Sequence, residues 1–239
     1  MAKKTQETKK ADEVLIDVVE VREQAADFFE QNRMYVLGAI GVLLLAVVGY
    51  FAYQQFYKAP QQKEAVEQMF QAQNQFERDS FQLALLNPGG GYLGFLDIID
   101  NYGGTPAANS AKYYAGISYL HIGQRNNNAN KEFDAAISYL QGFNAKGDVL
   151  PIMKMGALGD AYSELQDFGK AMSYYKKAVS AGENELLTPY YLKKVGMLNE
   201  KNGDNKAAQD AYERIKSEYP NSLDAKDIEK YIVRTSPKG

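Results

Sequence analysis

The sequence predicts an all-α protein: a single transmembrane helix followed by an α-solenoid of about four helix pairs plus a capping helix. Three observations predict it. Residues 34–57, MYVLGAIGVLLLAVVGYFAYQQFY, contain no charged side chain. Further on, apolar residues recur at helical spacing between turns rich in glycine, proline and asparagine. From Ile152 onward the chain repeats itself, with an earlier copy before it.

The 239 residues carry a formal net charge of −3, so no global field argues for nucleic acid. There is no cysteine, which removes disulfides, thiolate catalysis and cysteine-based metal sites. The one histidine, His121, rules out a multi-histidine metal site. Neither a cofactor nor a metal is expected.

Residues 1–33 form a polar tail. Its first eleven residues are rich in lysine, glutamine and threonine and read as disordered. From Asp12 the spacing of Val14, Val18, Val21, Ala25 and Phe28 predicts a short amphipathic helix. Its polar face is acidic, which suits a protein neighbour better than an anionic lipid surface.

The anchor comes next. Residues 35–53, read as a helix, rise about 28 Å, close to the thickness of bilayer hydrocarbon. The run is longer than the apolar region of a signal peptide, and no small-x-small pair follows it, so an uncleaved anchor is expected. Lys3, Lys4, Lys9, Lys10, Arg22 and Arg33 precede the span, whereas only Lys58 and Lys63 closely follow it. That asymmetry predicts a cytoplasmic N-terminus and places residues 58–239 across the membrane, in the periplasm of a Gram-negative cell. Tyr35 on one side and Tyr53, Phe56 and Tyr57 on the other suit an interfacial aromatic belt. Gly38, Gly41, Leu45, Gly49 and Ala52 share one helical face that would pack on another span. Because no strict small-xxx-small pair is present, the general abundance of glycine in membrane helices is the preferred account of them.

Pro60 predicts a break or kink where the helix leaves the membrane. Residues 61–86 then read as one helix and 92–102 as a second, separated by Asn87, Pro88 and three glycines. Gly89 to Gly94 spell G-x-G-x-x-G, but a dinucleotide site needs a strand before that motif and a βαβ unit around it. The preceding segment is helical in pattern and no β-rich run follows, so a turn between helices is expected. Thr105-Pro106 is a helix start, a capping threonine with proline at the first helical position. Helices are expected from there to Gly123 and, after an asparagine-rich loop, over 131–143, with a turn at 147–151. Residues 223–233 read as a closing helix with Ile228, Tyr231 and Ile232 inward.

One repeat reads Leu158-Gly159-x-x-Tyr162, then Ala171, Tyr175 and Ala178. The next reads Val195-Gly196, then Ala208 and Tyr212, and ends at Tyr219-Pro220. The earlier copy reads Ala115-Gly116-x-x-Tyr119, then Phe133, Ala136, Tyr139 and Leu140. Gly116 to Gly159 is 43 residues and Gly159 to Gly196 is 37, the excess over a 34-residue unit falling in loops. Small residues at these positions let helix backbones approach, and tyrosines fill the gaps between pairs. The pattern resembles the tetratricopeptide repeat. It departs at Asn199, where a tyrosine is usual, and at Leu140, where an aromatic is usual. Even the weak first unit has an echo: Phe95, Ile98, Tyr102, Thr105 and Ala108 are spaced like Tyr212, Ile215, Tyr219, Ser222 and Ala225.

The resemblance implies a protein-binding groove formed by the first helix of each repeat. Its residues here would be Tyr113, Ile117 and His121, then Met153 and Asp160, then Tyr190, Lys193, Met197 and Lys201. Lys193 and Lys201 would pair with a carboxylate; a solvated face accounts for them equally well. No acid–base, nucleophile or phosphate-loop motif is present, and no catalytic residue is expected. A cytoplasmic tail, one span and an exported repeat domain together resemble the YfgM-type ancillary subunits of the SecYEG translocon. That resemblance implies protein partners: translocon subunits, a periplasmic chaperone or exported clients. A structural component of another envelope or secretion complex, and a membrane-tethered enzyme or regulator, are the competing readings.

Overall fold

A computed structural model describes residue 22 and residues 25–126 and 129–236. It is helical throughout, with no strand among the described residues. The chain divides into two compact units, Met1–Pro60 and Gln61–Gly239.

In the first unit, residues 25–31 are helical and Phe28 is exposed. Val14, Val18 and Val21 of the expected amphipathic helix lie outside the described residues. Helix α1 (Arg33–Tyr53) follows, and none of its residues is buried. One helix near the N-terminus, within Arg33–Glu77, is long and apolar enough to cross a membrane. Its uniform exposure is what a helix of this composition shows when apolar surface has no protein to cover it. Tyr53 and Tyr57 stack 5.2 Å apart near its end. A π-turn, Gln54–Lys58, comes next, in which the Ala59 amide donates to the Gln54 carbonyl five residues back. Helix α2 (Ala59–Glu77) begins immediately after it. The proline does not break the helix. It has no N–H for the carbonyl four residues earlier, and the wider π-turn just before it takes up that defect.

The second unit stacks its helices in sequence. Helix α2 buries Ala65, Met69 and Ala72. It ends nine residues before the expected Leu86 because Asp79 adopts a left-handed φ of 57°, and a separate short α3 (Phe81–Leu86) starts after the bend. The bend sets Phe76 edge-on to Phe81, centroids 5.3 Å apart, with Phe81 buried and Phe76 half-buried. The glycine run is a turn between α3 and α4 (Phe95–Asn101), with helices on both sides. Gly89, Gly90 and Gly91 all have positive φ, at 91°, 67° and 79°, a path that residues with a Cβ rarely follow.

Three full pairs follow: α5 (Pro106–Arg125) with α6 (Asn130–Gly142), α7 (Leu150–Glu164) with α8 (Phe168–Ser180), and α9 (Leu187–Lys201) with α10 (Asn205–Glu218). A 3₁₀ turn, Asp224–Asp227, leads into the closing helix α11 (Ile228–Thr235). Within each pair the glycine of the first helix is a contact point. A Cβ at Gly116 would lie 2.6 Å from Leu140, and one at Gly159 would lie 2.5 Å from the Tyr175 ring. Gly196 meets Tyr212 in the same way. Leu140 thus fills the place of the usual aromatic. Tyr119 lies outside that contact and stacks on Tyr139 at 5.6 Å.

The echo between the two ends of the unit is physical. Thr105 Oγ1 accepts the Ala108 amide at 3.1 Å, and Ser222 Oγ accepts the Ala225 amide at the same distance. Phe95 and Ile98, like Tyr212 and Ile215, are fully buried. Helix α4 therefore takes the place of a second helix in a degenerate first unit, and it packs on α5. At the far end Ile228 and Ile232 of α11 are buried on Tyr212, Ile215 and Tyr219, while Tyr231 is half-buried. That closing helix covers apolar surface that the last pair would otherwise expose.

Candidate protein-binding recess

The first helices of the three full pairs, α5, α7 and α9, share one recess of about 300 Å³. Helix α5 contributes Tyr113, Ile117 and His121, α7 contributes Met153 and Asp160, and α9 contributes Tyr190, Tyr191 and Lys194. Tyr175 of α8 also lines it. These helices deliver side chains to one place because the Gly159–Tyr175 and Gly156–Tyr191 contacts let their backbones approach. Hollows of about 550 Å³ near Thr105 and Phe143, and of about 690 Å³ beside Phe70 and Tyr92, are larger, but neither is lined by an ion pair.

Asp160 is the electrostatic centre. Its Oδ1 accepts the Tyr175 hydroxyl at 2.7 Å and the Lys194 ammonium at 2.6 Å. Lys194 also lies 5.0 Å from the centroid of the Tyr190 ring. Burial, reinforced by the Asp160 charge, pushes the Tyr175 and Tyr191 hydroxyls well above the usual tyrosine range. Both therefore remain neutral donors at any physiological pH. For Lys194 burial pulls downward, but the charge and hydrogen bond of Asp160 outweigh it and the ammonium is held above its ordinary value. Tyr113 is pushed up to about 12, by burial first and then by its neighbour Tyr114.

The same device recurs one pair later. Glu200 accepts the Tyr212 hydroxyl at 2.7 Å and the Arg234 guanidinium at 2.8 Å. In each case the tyrosine that packs on a repeat glycine hands its hydroxyl to a carboxylate on the first helix. A cation from the next element then neutralises that carboxylate. A buried tyrosine oxygen is satisfied, and adjacent units are pinned together.

Of the nine expected groove residues, the recess gathers Tyr113, Ile117, His121, Met153, Asp160 and Tyr190. His121 is half-buried and stacks on Phe81 at 4.6 Å, 11° from parallel. The other three lie elsewhere. Lys193 pairs with Asp224 at 2.9 Å, Met197 is about half exposed, and the Lys201 ammonium sits 3.3 Å from the Phe168 ring centroid. Lys194 was missed in favour of its neighbour. Tyr190 reaches Lys193 by three residues and Lys194 by four, and both spacings share a helix face. In the first unit, Gly38, Gly41 and Gly49 have nothing within 4 Å of a Cβ position, and Leu45 and Ala52 are exposed. Among the described residues no three His, Asp or Glu side chains converge as metal ligands.

Models of the tetratricopeptide repeat match residues 155–184 and 194–222, the α7–α8 and α9–α10 pairs. The chain therefore carries tetratricopeptide repeats, modules that in general bind other proteins. A comparison with curated proteins found no match.

Proposed function

We propose that this protein is a membrane-anchored, non-enzymatic adaptor whose repeat domain binds other proteins on the periplasmic side of the inner membrane. In this reading α1 is the single span and residues 1–33 are cytoplasmic, as the lysine and arginine asymmetry favours. The partners are translocon subunits, a periplasmic chaperone or exported clients, and the protein is an accessory subunit at the Sec translocon. The observation that carries the reading is the recess: the first helices of three successive pairs converge there on aromatic and charged side chains. Tyrosine provides rigid contact area and a polar tip at little entropic cost, which suits protein recognition.

The test is photo-crosslinking in cells from a reactive amino acid at Met153 or Tyr190, followed by mass spectrometry. Recovery of translocon subunits or a periplasmic chaperone is expected. Recovery of one large, unrelated envelope complex would replace the translocon by that complex, and recovery of no protein would remove the adaptor reading. A C-terminal reporter active only in the cytoplasm is expected to stay silent; activity would overturn the topology.

A further inference from the structure

We infer that the recess between α5, α7 and α9 receives a basic side chain, an arginine or lysine of a bound protein segment, held by Asp160 and Glu164 against Tyr113 and Tyr190. The inference rests on the protein-binding reading above and names the chemistry of what is bound. Asp160 and Glu164 stand one turn apart on α7 and both line the recess. Among the described residues, the hydrogen bonds they make use one oxygen of each. Asp160 Oδ1 serves Tyr175 and Lys194, and Glu164 Oε1 accepts from Gln124 at 2.9 Å. Each carboxylate keeps its other oxygen for an incoming donor, and two carboxylates one turn apart suit the forked donors of a guanidinium.

The recess already demonstrates this chemistry on a cation of its own. The Lys194 ammonium is held by Asp160 and lies over the Tyr190 and Tyr175 rings, 5.0 and 5.5 Å from their centroids. Aromatic faces and carboxylates together select positive charge. The charged groups in the lining are two carboxylates and one ammonium, and Asp160 neutralises that ammonium, so an acidic side chain would meet net negative charge. Glu164 and Gln124 are exposed, which leaves the mouth open to solvent. A volume of about 300 Å³ is at the small end for a ligand site, enough for one or two side chains rather than a whole peptide.

The experiment is a selection of short randomised peptides displayed on phage against the full chain in lipid nanodiscs, repeated with Glu164→Lys. Arginine or lysine is expected to be enriched at one position, with that enrichment lost in Glu164→Lys. A selected peptide is expected to bind about tenfold more weakly to Glu164→Gln, the effect of losing a charge-assisted hydrogen bond. Circular dichroism monitors folding of both variants. Enrichment of acidic residues, no enriched sequence, or basic enrichment unchanged in Glu164→Lys would each overturn the inference. Apolar peptides selected without a basic residue would overturn it while leaving the protein-binding reading intact. That reading fails separately, on crosslinking from Met153 that recovers no protein.

Discussion

Gly159 and Gly169 lie ten residues apart and face opposite circumstances. A Cβ at Gly159 would meet the Tyr175 ring at 2.5 Å, whereas at Gly169, on the exposed first turn of α8, the nearest atom is the Asp167 carboxylate at 3.8 Å. Gly159→Ala is expected to destabilise the protein by about 1–3 kcal/mol through overpacking. Gly169→Ala is expected to stabilise it by about 0.5–1 kcal/mol by restricting the unfolded chain. Urea denaturation followed by circular dichroism separates the two. The recess adds a pH dependence. Tyr113 is raised to about 12 and Lys194 is raised as well, so the folded state holds both protons more tightly than the unfolded one. Their stabilisation is complete below pH 10 and is lost as pH climbs through the folded-state values. Denaturation midpoints are expected to fall above pH 10, and less steeply in Tyr113→Phe, where one of these ionisations is gone.

Helices in this protein are set by their ends as much as by their faces. Thr105 is buried, caps α5 through the Ala108 amide, and also donates its hydroxyl to the Tyr102 carbonyl at 2.7 Å. Thr105→Ala is expected to cost about 1–2 kcal/mol, the upper end for a capping residue, measured as a shift in the urea midpoint. Thr105→Ser should recover most of that loss. The cap was legible in the sequence because Thr-Pro is a local signal read by the backbone itself. The bend at Asp79 was not. Residues 61–86 have helical periodicity throughout, and nothing local says that setting Phe76 against a buried Phe81 outweighs the three residues lost from the helix. The π-turn before Pro60 escaped for a related reason: proline announces a defect in the ladder but not whether the helix ends or widens around it.

At the scale of the whole repeat domain, each pair touches mainly its neighbours, and the buried side chains fall into four successive clusters along the chain. Such an array loses stability locally. Gly196→Ala, which drives a methyl group into Tyr212, is expected to speed amide exchange in 187–235 well before 106–142. Hydrogen exchange with mass spectrometry reads both regions at once. Equal acceleration across the domain would mean a single cooperative unit in place of an array.

The sequence by itself determined the all-helical class, the long apolar segment, the repeat period and six of the residues that meet in the recess. All of these are written in local or periodic patterns: helical spacing, runs without charge, and glycines at fixed distances from tyrosines. The tertiary structure alone decided which of two adjacent lysines enters the recess. Lys193 and Lys194 are about 100° apart around one helix, and the packing of α9 against α7 and the 3₁₀ turn Asp224–Asp227 turns one toward Asp160 and the other toward Asp224. It also decided that Asp160 and Glu200 serve the hydroxyls of Tyr175 and Tyr212, since those partnerships depend on how neighbouring helices cross and no spacing along the chain encodes them.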